Sequence, residues 1–309
     1  MRKKVIAALS LVVILSFIGY IIYDTITTDS VSATENESIK VTAPEDQWEI
    51  SKELLPEEGP LLSVAVSENG QIYLGGDYYL SCYNEDLSRL WSTATPGKIT
   101  AISVNGDTIF AASVETILLY GTDGKLISEW GPYEAKSIIT SLSSDKKSVV
   151  FADAGTKRVF ILKKDGEVVA MMGHGDDKFI IPSPYFDVAL GDGNTLYAAN
   201  TGHRRIETWT TDGKLQGYFG EAGTAPGAFC GCCNPAHFTV VPQGFITAEK
   251  GINRIKILDK NGEFTEFVSS ANSFKSSVPL DIASSDGLII YAANPDDSKL
   301  YVFRRKNDG

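Results

Sequence analysis

The sequence has 309 residues, of which 43% are hydrophobic, and its formal net charge is −11. This length and apolar content suit one large all-β domain or two smaller domains. Arg2, Lys3 and Lys4 are the only charged residues before position 24, so the rest of the chain carries 25 basic and 39 acidic side chains, a net charge of −14. A surface with this balance repels phosphate backbones, which argues against nucleic acid as a partner.

An uncharged apolar segment follows the basic cluster and runs from Val5 to Tyr23. At about 1.5 Å per residue, a helix of this length nearly spans the hydrocarbon core of a membrane, which is about 30 Å thick. The alternative is a signal peptide cleaved at Val31-Ser32-Ala33, but that site lies well beyond a segment that is already long for a signal peptide. The pattern favours an uncleaved signal anchor over residues 1–23. This would be a single-pass transmembrane helix in the cell membrane, with the remaining chain on the extracytoplasmic side, periplasmic or outer.

The next segment, residues 24–46, is rich in Thr, Ser, Glu and Asp and has few large apolar side chains. Such a composition cannot bury enough surface to offset the entropy of ordering, so the segment is predicted to be a flexible linker. From position 47 onward, the character of the sequence changes to short apolar runs separated by turn residues.

These apolar runs form a repeated phrase that ends in Asp-Gly or Asn-Gly. The turn residues Asp123, Asp165, Asp212 and Asn261 are 42, 47 and 49 residues apart, which is about the length of a four-stranded propeller blade. The dipeptides predict two-residue hairpin turns, each followed by the fourth strand of a blade. Aligning the phrases gives six units, so the sequence predicts an all-β, six-bladed β-propeller over residues 47–305.

The sixth unit has only three predicted strands and stops at Arg304-Arg305. A three-stranded last blade would leave an unpaired edge. The segment Trp48–Leu54, ahead of the first unit, alternates as an outer strand does. We therefore expect residues 47–54 to join the last blade and close the ring; the alternative is that they belong to the linker.

Three copies of the phrase carry a family resemblance: AANTGHRRIETWTTDGK at 198–214, DAGTKRVFILKKDG at 153–166 and EKGINRIKILDKNG at 249–262. They resemble NHL repeats, and the resemblance covers roughly residues 60 to 305. The stretch that contains GCCNPAHF is similar to a subgroup of exported bacterial six-bladed propellers, largely without assigned activity. The resemblance implies the propeller fold. It leaves the function open, because the NHL family includes scaffolds, ligand-binding sensors and a few metal-dependent enzymes.

One connection breaks the repetition, between the fourth and fifth units, and contains three of the four cysteines. In a propeller, the connections between blades and the loops between second and third strands lie on the same face, which we call the crossing face. The opposite face, with the Asp-Gly turns, is the hairpin face. The crossing face is predicted to bind a small polar ligand or an envelope protein through His174, His203, Asn234, His237, Glu249 and Lys250.

The cysteine cluster has three interpretations. An oxidising compartment favours a disulfide between Cys230 and Cys233 or between Cys232 and Cys233. Alternatively, Cys232, Cys233 and His237 supply three ligands to a transition metal, the one cofactor for which the sequence offers a candidate site. The third interpretation is inert thiols, as expected for Cys82, which lies within a predicted strand.

The leading hypothesis is therefore a membrane-anchored, extracytoplasmic NHL-type propeller that acts as a ligand- or protein-binding module through its Cys/His face. The first alternative is a metal-dependent enzyme, a lyase, hydrolase or redox enzyme, with Glu249 as a candidate general base. The second alternative is a structural subunit of an envelope complex. The sequence lacks a Ser-His-Asp order, a phosphate-binding Gly loop and an HExxH motif, so those chemistries have no support.

Overall fold

The computed structural model describes residues 13–16, 18–19, 47–175, 177–231, 233–270, 273–274 and 278–306. The chain divides into two units, residues 1–43 and residues 44–309. In the first unit, the described residues are helical. Within the described ranges, no helix has the length and apolar character needed to cross a membrane. Most of the predicted anchor and all of the predicted linker lie outside the described residues, so both stay predictions.

The second unit consists of six four-stranded antiparallel sheets, as an all-β, six-bladed propeller requires. In chain order the strands are β1 (Trp48–Leu54), β2 (Leu61–Val66), β3 (Ile72–Gly76), β4 (Tyr79–Tyr83), β5 (Arg89–Ala94), β6 (Ala101–Asn105), β7 (Thr108–Ser113), β8 (Thr116–Gly121), β9 (Leu126–Trp130), β10 (Ile139–Ser144), β11 (Ser148–Asp153), β12 (Arg158–Lys163), β13 (Val168–Met172), β14 (Val188–Leu190), β15 (Thr195–Asn200), β16 (Arg205–Thr210), β17 (Leu215–Phe219), β18 (His237–Val241), β19 (Gly244–Ala248), β20 (Ile255–Asp259), β21 (Phe264–Ser269), β22 (Asp281–Ala283), β23 (Ile290–Asn294) and β24 (Lys299–Arg305). Blades one to five take four consecutive strands each, starting from β2, and blade six has the order β1-β24-β23-β22.

The N-terminal strand of this unit is the outer strand of blade six. β1 pairs antiparallel with β24, in a register that places Trp48 opposite Arg305 and Leu54 opposite Leu300. Trp48 is buried in the core between blades five and six, where its ring contacts the Arg305 guanidinium. The two ends of the propeller sequence therefore meet in one sheet, which leaves no gap in the ring.

The hydrophobic core is divided among the blades. The described residues form six buried clusters, and each cluster lies between two neighbouring blades. Phe151 and Phe160, for example, stack between blades two and three, and Trp209 packs against Phe179 between blades three and four. Each blade thus buries both sides of its sheet, which explains the continuous apolar runs 149–152 and 159–162 within the second and third strands of blade three.

The hairpin turns differ from the two-residue turns predicted from the sequence. In the first, Gly124 N–H donates to Gly121 O and Gly121 N–H donates to Lys125 O, which makes a three-residue loop. The turns that end at Gly166, Gly213 and Gly262 repeat this pattern. Only the glycine has positive φ, +80° at Gly124, and a register shift follows in each sheet. This is a turn closed by a glycine bulge, so the Asp-Gly signal located the hairpins correctly but gave the wrong loop length.

The connections on either side of blade three are fixed by a polar residue at the end of a second strand. Asp153 accepts hydrogen bonds from the backbone N–H of Ile138, and Asn200 accepts one from Ile180 N–H. The glycine two positions later lets the connection approach closely, because a Cβ at Gly155 would collide with Lys136 O. The Asn/Asp-x-Gly element of the repeat therefore positions the loops of the crossing face.

Substitution of Gly155 by alanine is expected to destabilise the propeller by about 1–3 kcal/mol, because the added methyl group must displace backbone. The matched control is Gly217→Ala in β17, where an added Cβ meets no atom within 4 Å. We expect the control to stay within about 0.5 kcal/mol of the parent protein in denaturant unfolding. Equal stability of the two variants would show that this close approach is not required.

Candidate functional site in the central channel

Three polar residues from consecutive blades meet where the inner strands begin. Asp187 immediately precedes β14, His237 begins β18 and Asp281 begins β22. The Nδ1 atom of His237 lies 3.5 Å from Asp281 Oδ1 and 3.7 Å from Asp187 Oδ2. We call these residues the channel trio. Because inner strands begin on the crossing face, the trio lies at that end of the central channel.

Both carboxylates of the trio are held by neighbouring blades. Asp187 accepts hydrogen bonds from the Ser141 hydroxyl in blade three and from Phe238 N–H in blade five, the latter at 2.7 Å. Asp281 accepts one from Val64 N–H in blade one, at 2.8 Å. These contacts connect the inner strands around the ring and fix the carboxylate positions, so His237 lies between two preorganised acceptors.

Two members of the trio, His237 and Asp281, have raised pKa values. Burial lowers the pKa of the His237 imidazole, but the carboxylates of Asp187 and Asp281 outweigh burial and raise this pKa above its ordinary value of 6.5. Burial raises the pKa of Asp281 to about 6, although His237 and the Val64 N–H oppose the increase. A histidine whose charge changes close to neutral pH is suited to pH-dependent binding or to proton transfer.

The trio faces a polar cavity of about 170 Å³ within the channel. The other polar groups of its lining are hydroxyls, those of Ser103, Thr140, Ser141, Ser143, Thr239 and Ser284. Small-molecule sites usually measure about 300–1,000 Å³, so this cavity admits water molecules or one small polar group. A larger ligand must therefore lie outside, at the mouth of the channel.

Tyr185 and Lys250 mark this mouth. The Tyr185 ring lies 6.3 Å from the His237 ring, edge to face, and Lys250 Nζ lies 4.8 Å from the centre of the Tyr185 ring. The Nδ1 atom of His237 faces the carboxylates, and no residue in the described ranges hydrogen-bonds to Nε2. Because a proton on Nδ1 is favoured by the carboxylates, Nε2 is the atom left for a ligand.

The free energy of unfolding is expected to fall by about 1–2 kcal/mol between pH 5 and pH 7.5. Asp281 and His237 both have raised pKa values, so the folded chain binds more protons than the unfolded chain. The Asp281 contribution is present below pH 3.8 and is lost as the pH rises to about 6. The His237 contribution is present below pH 6.5 and is lost as the pH rises through the raised pKa. Denaturant unfolding at several pH values measures how the free energy of unfolding changes with pH. Asp281→Asn and His237→Gln should each make this change smaller. The same pH dependence in both variants as in the parent protein would contradict the raised pKa values of Asp281 and His237.

Glu249, the candidate general base, is fully buried in an ion cluster below the cysteine-containing loop. Its carboxylate lies 2.9 Å from Arg254 Nη2 and 3.1 Å from Lys256 Nζ, and it accepts the N–H of Cys230 at 3.1 Å. Glu249 occupies the position that Asn200 has in blade four, at the end of the second strand. The carboxylate thus anchors its loop as Asn200 does, and its bound partners leave it poorly placed to abstract a proton.

Arg254 and Lys256 hold the loop that precedes the cysteines. Together they donate five hydrogen bonds to backbone oxygens of residues 224–228, and Lys256 Nζ lies 4.3 Å from the centre of the Phe229 ring. Burial lowers the pKa of Lys256 to about 8, against the charge of Glu249, which raises it. The loop is therefore fixed by buried cations bound to its carbonyl groups.

The structure does not support the disulfide expected to rigidify this loop. No disulfide joins Cys230 to Cys233, and Cys82 and Cys230 are buried thiols. Cys232 lies outside the described residues, so its predicted pairing and its role as a metal ligand stay predictions. Among the residues that the structure describes, no group of three His, Cys, Asp or Glu side chains is arranged to hold a metal ion. The physical reason is that Cys230 and Cys233 are buried, with the side-chain amide of Asn234 beside the Cys230 thiol, while His237 faces the channel.

The remaining predicted residues do not join the trio. His174 and His203 are exposed, in the connection before β14 and in the β15–β16 loop. Across the described ranges, no hydrogen bond or ion pair connects either residue to His237. Asn234 is buried and donates to Cys230 O and Lys250 O, at 2.6 and 2.8 Å, so it orders the loop. Of the three histidines, only His237 lies in the channel.

Comparisons with known proteins identify the fold. No protein-family model and no curated protein matches the chain. Among solved structures, a streptogramin B lyase is 14% identical with a TM-score of 0.62, covering 84% of this chain and 98% of that one. A catalytically inactive histidine-to-alanine variant of virginiamycin B lyase from Staphylococcus aureus, with quinupristin, is 17% identical with a TM-score of 0.55, covering 82% and 83%. A chain of the mitotic checkpoint complex is 10% identical with a TM-score of 0.59, covering 84% and 92%. At these identities the likeness establishes the β-propeller fold and leaves the activity open.

Proposed function

We propose that this protein is a ligand-binding module whose site is the mouth of the central channel on the crossing face. The observation that carries the proposal is His237, held between Asp187 and Asp281 and facing a polar cavity. Fixed carboxylates cost little reorganisation when a ligand binds, and Nε2 offers one hydrogen-bonding position. A small polar ligand, or a polar group on a partner protein, inserts into the cavity while Tyr185 and Lys250 contact the rest of it.

The three histidines provide the experiment. His174 and His203 are exposed, so their imidazole NMR signals serve as internal references for His237. The full chain is titrated separately with amino acids, sugars and organic acids, and the imidazole Hε1 signals are followed. The proposal expects at least one compound to shift the His237 signal alone, with the shift abolished in Asp281→Asn. Shifts of all three signals together, or none from any compound class, would count against it.

A second candidate is an enzyme that uses His237 as an acid or base. The carboxylates favour the proton on Nδ1, which leaves Nε2 to accept a proton from a substrate. This arrangement, together with the fold shared with the streptogramin lyases, favours a lyase among the enzyme classes. Incubation of the full chain with quinupristin, followed by chromatography, separates the candidates. Consumption that His237→Ala abolishes would support the enzyme, whereas binding without consumption would support the module.

The cellular localisation that we propose for the propeller is based on the N-terminal sequence. The basic cluster and the apolar segment Val5–Tyr23 support a membrane-anchored propeller on the extracytoplasmic side, and the Asn/Asp-x-Gly phrases support its assignment to the NHL type. A structural role in an envelope complex is the remaining alternative. Recovery of the intact N-terminal peptide from membrane fractions tests the anchor, and its absence from the mature protein would favour a cleaved signal peptide.

A further inference from the structure

A second, larger cavity lies on the hairpin face, away from the channel trio. It measures about 550 Å³, within the range of small-molecule sites, and none of the trio residues lines it. The first-to-second strand connections of blades three, four and five form its walls, and Lys260, in the β20–β21 hairpin, completes its rim. Neither the repeat phrases nor the proposed function accounts for this opening.

Two glycines, Gly191 and Gly244, belong to the lining of the cavity. A Cβ at Gly191 would lie 2.6 Å from the Tyr197 ring, so the ring lies directly against this part of the backbone. Gly244, at the start of β19, has a φ of +149°, a conformation that side chains rarely adopt. The rings of Tyr197 and Phe245 form an aromatic floor, edge to face, with centroids 4.9 Å apart.

The charged groups of this cavity are mainly acidic. Two acidic residues, Asp145 and Asp192, line the cavity, whereas Lys260 is the single basic residue of its described lining. Asp145 uses Oδ1 to accept the N–H groups of Lys147 and Ser148, which fixes the carboxylate, and no backbone N–H of the described residues donates to its Oδ2. Burial and the charge of Asp192 raise the pKa of Tyr197, which places this carboxylate near the phenol.

We propose that this cavity binds a small amphipathic amine, with its apolar body on Tyr197 and Phe245 and its ammonium group beside Asp192 and Asp145. Aromatic rings and carboxylates together favour organic cations over anions. The acidic surface of the propeller adds to this preference by raising the local concentration of cations. Leu190 and Pro242 complete the apolar wall.

Calorimetric titration of the full chain with tryptamine and, separately, with indole-3-propionate tests the proposal. Tryptamine is expected to bind with a Kd of about 1 mM or tighter, which is reasonable for a ligand of this size, and indole-3-propionate at least about tenfold more weakly. Asp192→Asn should weaken tryptamine binding by about tenfold, because it removes a charged hydrogen-bond acceptor.

The matched control is Asp107→Asn, in a separate cavity of the same face, which should leave tryptamine binding unchanged. His237→Gln should also leave tryptamine binding unchanged. The test of this cavity is therefore independent of whether the proposed ligand site at the channel mouth is correct. No binding of tryptamine, equal binding of the anion, or equal weakening by Asp107→Asn and Asp192→Asn would overturn the proposal.

Discussion

Replacement of Glu249 by glutamine is expected to lower the free energy of unfolding by about 3–5 kcal/mol, as is usual when one partner of a buried ion cluster is removed. Glutamine keeps the size of the side chain and an oxygen for the N–H of Cys230. It removes the negative charge beside Arg254 and Lys256, both of which are buried. Two uncompensated cations would then lie within hydrogen-bonding distance of the same loop carbonyl, that of Ala228.

The pH dependence of the stability of Glu249→Gln tests whether the uncompensated buried cations cause the loss of stability. Burial already lowers the pKa of Lys256 to about 8, so at pH 9 the lysine of the variant loses its proton and no longer repels Arg254. The stability deficit should therefore shrink between pH 7 and pH 9. Glu263→Gln, an exposed residue of the same blade, is the control and should stay within about 0.5 kcal/mol. A deficit below about 1 kcal/mol for Glu249→Gln would contradict the anchoring role of the cluster.

Substitution of Trp48 by alanine is expected to cost about 3–5 kcal/mol, the usual range for removing a buried tryptophan. Trp48 is 2% exposed and packs in the cluster that joins blades five and six, although the other strands of those two blades lie at the opposite end of the propeller sequence. Its removal leaves a cavity and weakens the attachment of β1 to β24, so both the midpoint of thermal unfolding and its cooperativity should decrease.

Ile50→Ala provides the control in the same strand. Ile50 is 41% exposed, so its truncation removes little buried surface and should cost less than about 1 kcal/mol. Equal effects of the two substitutions would mean that β1 contributes through its backbone alone. If Trp48→Ala were as stable as the parent protein, the closure of the propeller would not depend on the packing of this strand.

Much of the fold could be predicted from the sequence because each blade repeats the same local rules. The Asp-Gly and Asn-Gly turns located four hairpins, and the six-bladed ring is confirmed. The fourth strand of blade one, β5, was missed because its turn lacks glycine. Leu87 takes the left-handed conformation there, with φ of +70°, and its side chain packs between blades six and one. Packing compensates for an unfavourable backbone conformation, which a turn-residue pattern does not reveal.

The candidate site was only partly predictable. Asp187 and Asp281 stand at the beginning of the fourth and sixth inner strands, in the same place as His237 in the fifth, and this alignment was the available signal. The cysteines are a more conspicuous chemical cue in the sequence because of their unusual spacing. The buried Glu249 shows why such cues mislead, since its arginine and lysine partners lie five and seven residues along the chain but meet it only across a strand pair.

The central claim is that His237 lies between two carboxylates at the channel. A pH titration of the three imidazole Hε1 signals by NMR, assigned with single His→Gln variants, tests it most directly. The structure predicts a midpoint for His237 above 6.5 that decreases in both Asp187→Asn and Asp281→Asn. A midpoint at or below 6.5, unmoved by either substitution, would contradict the claim and remove the basis for the proposed ligand site.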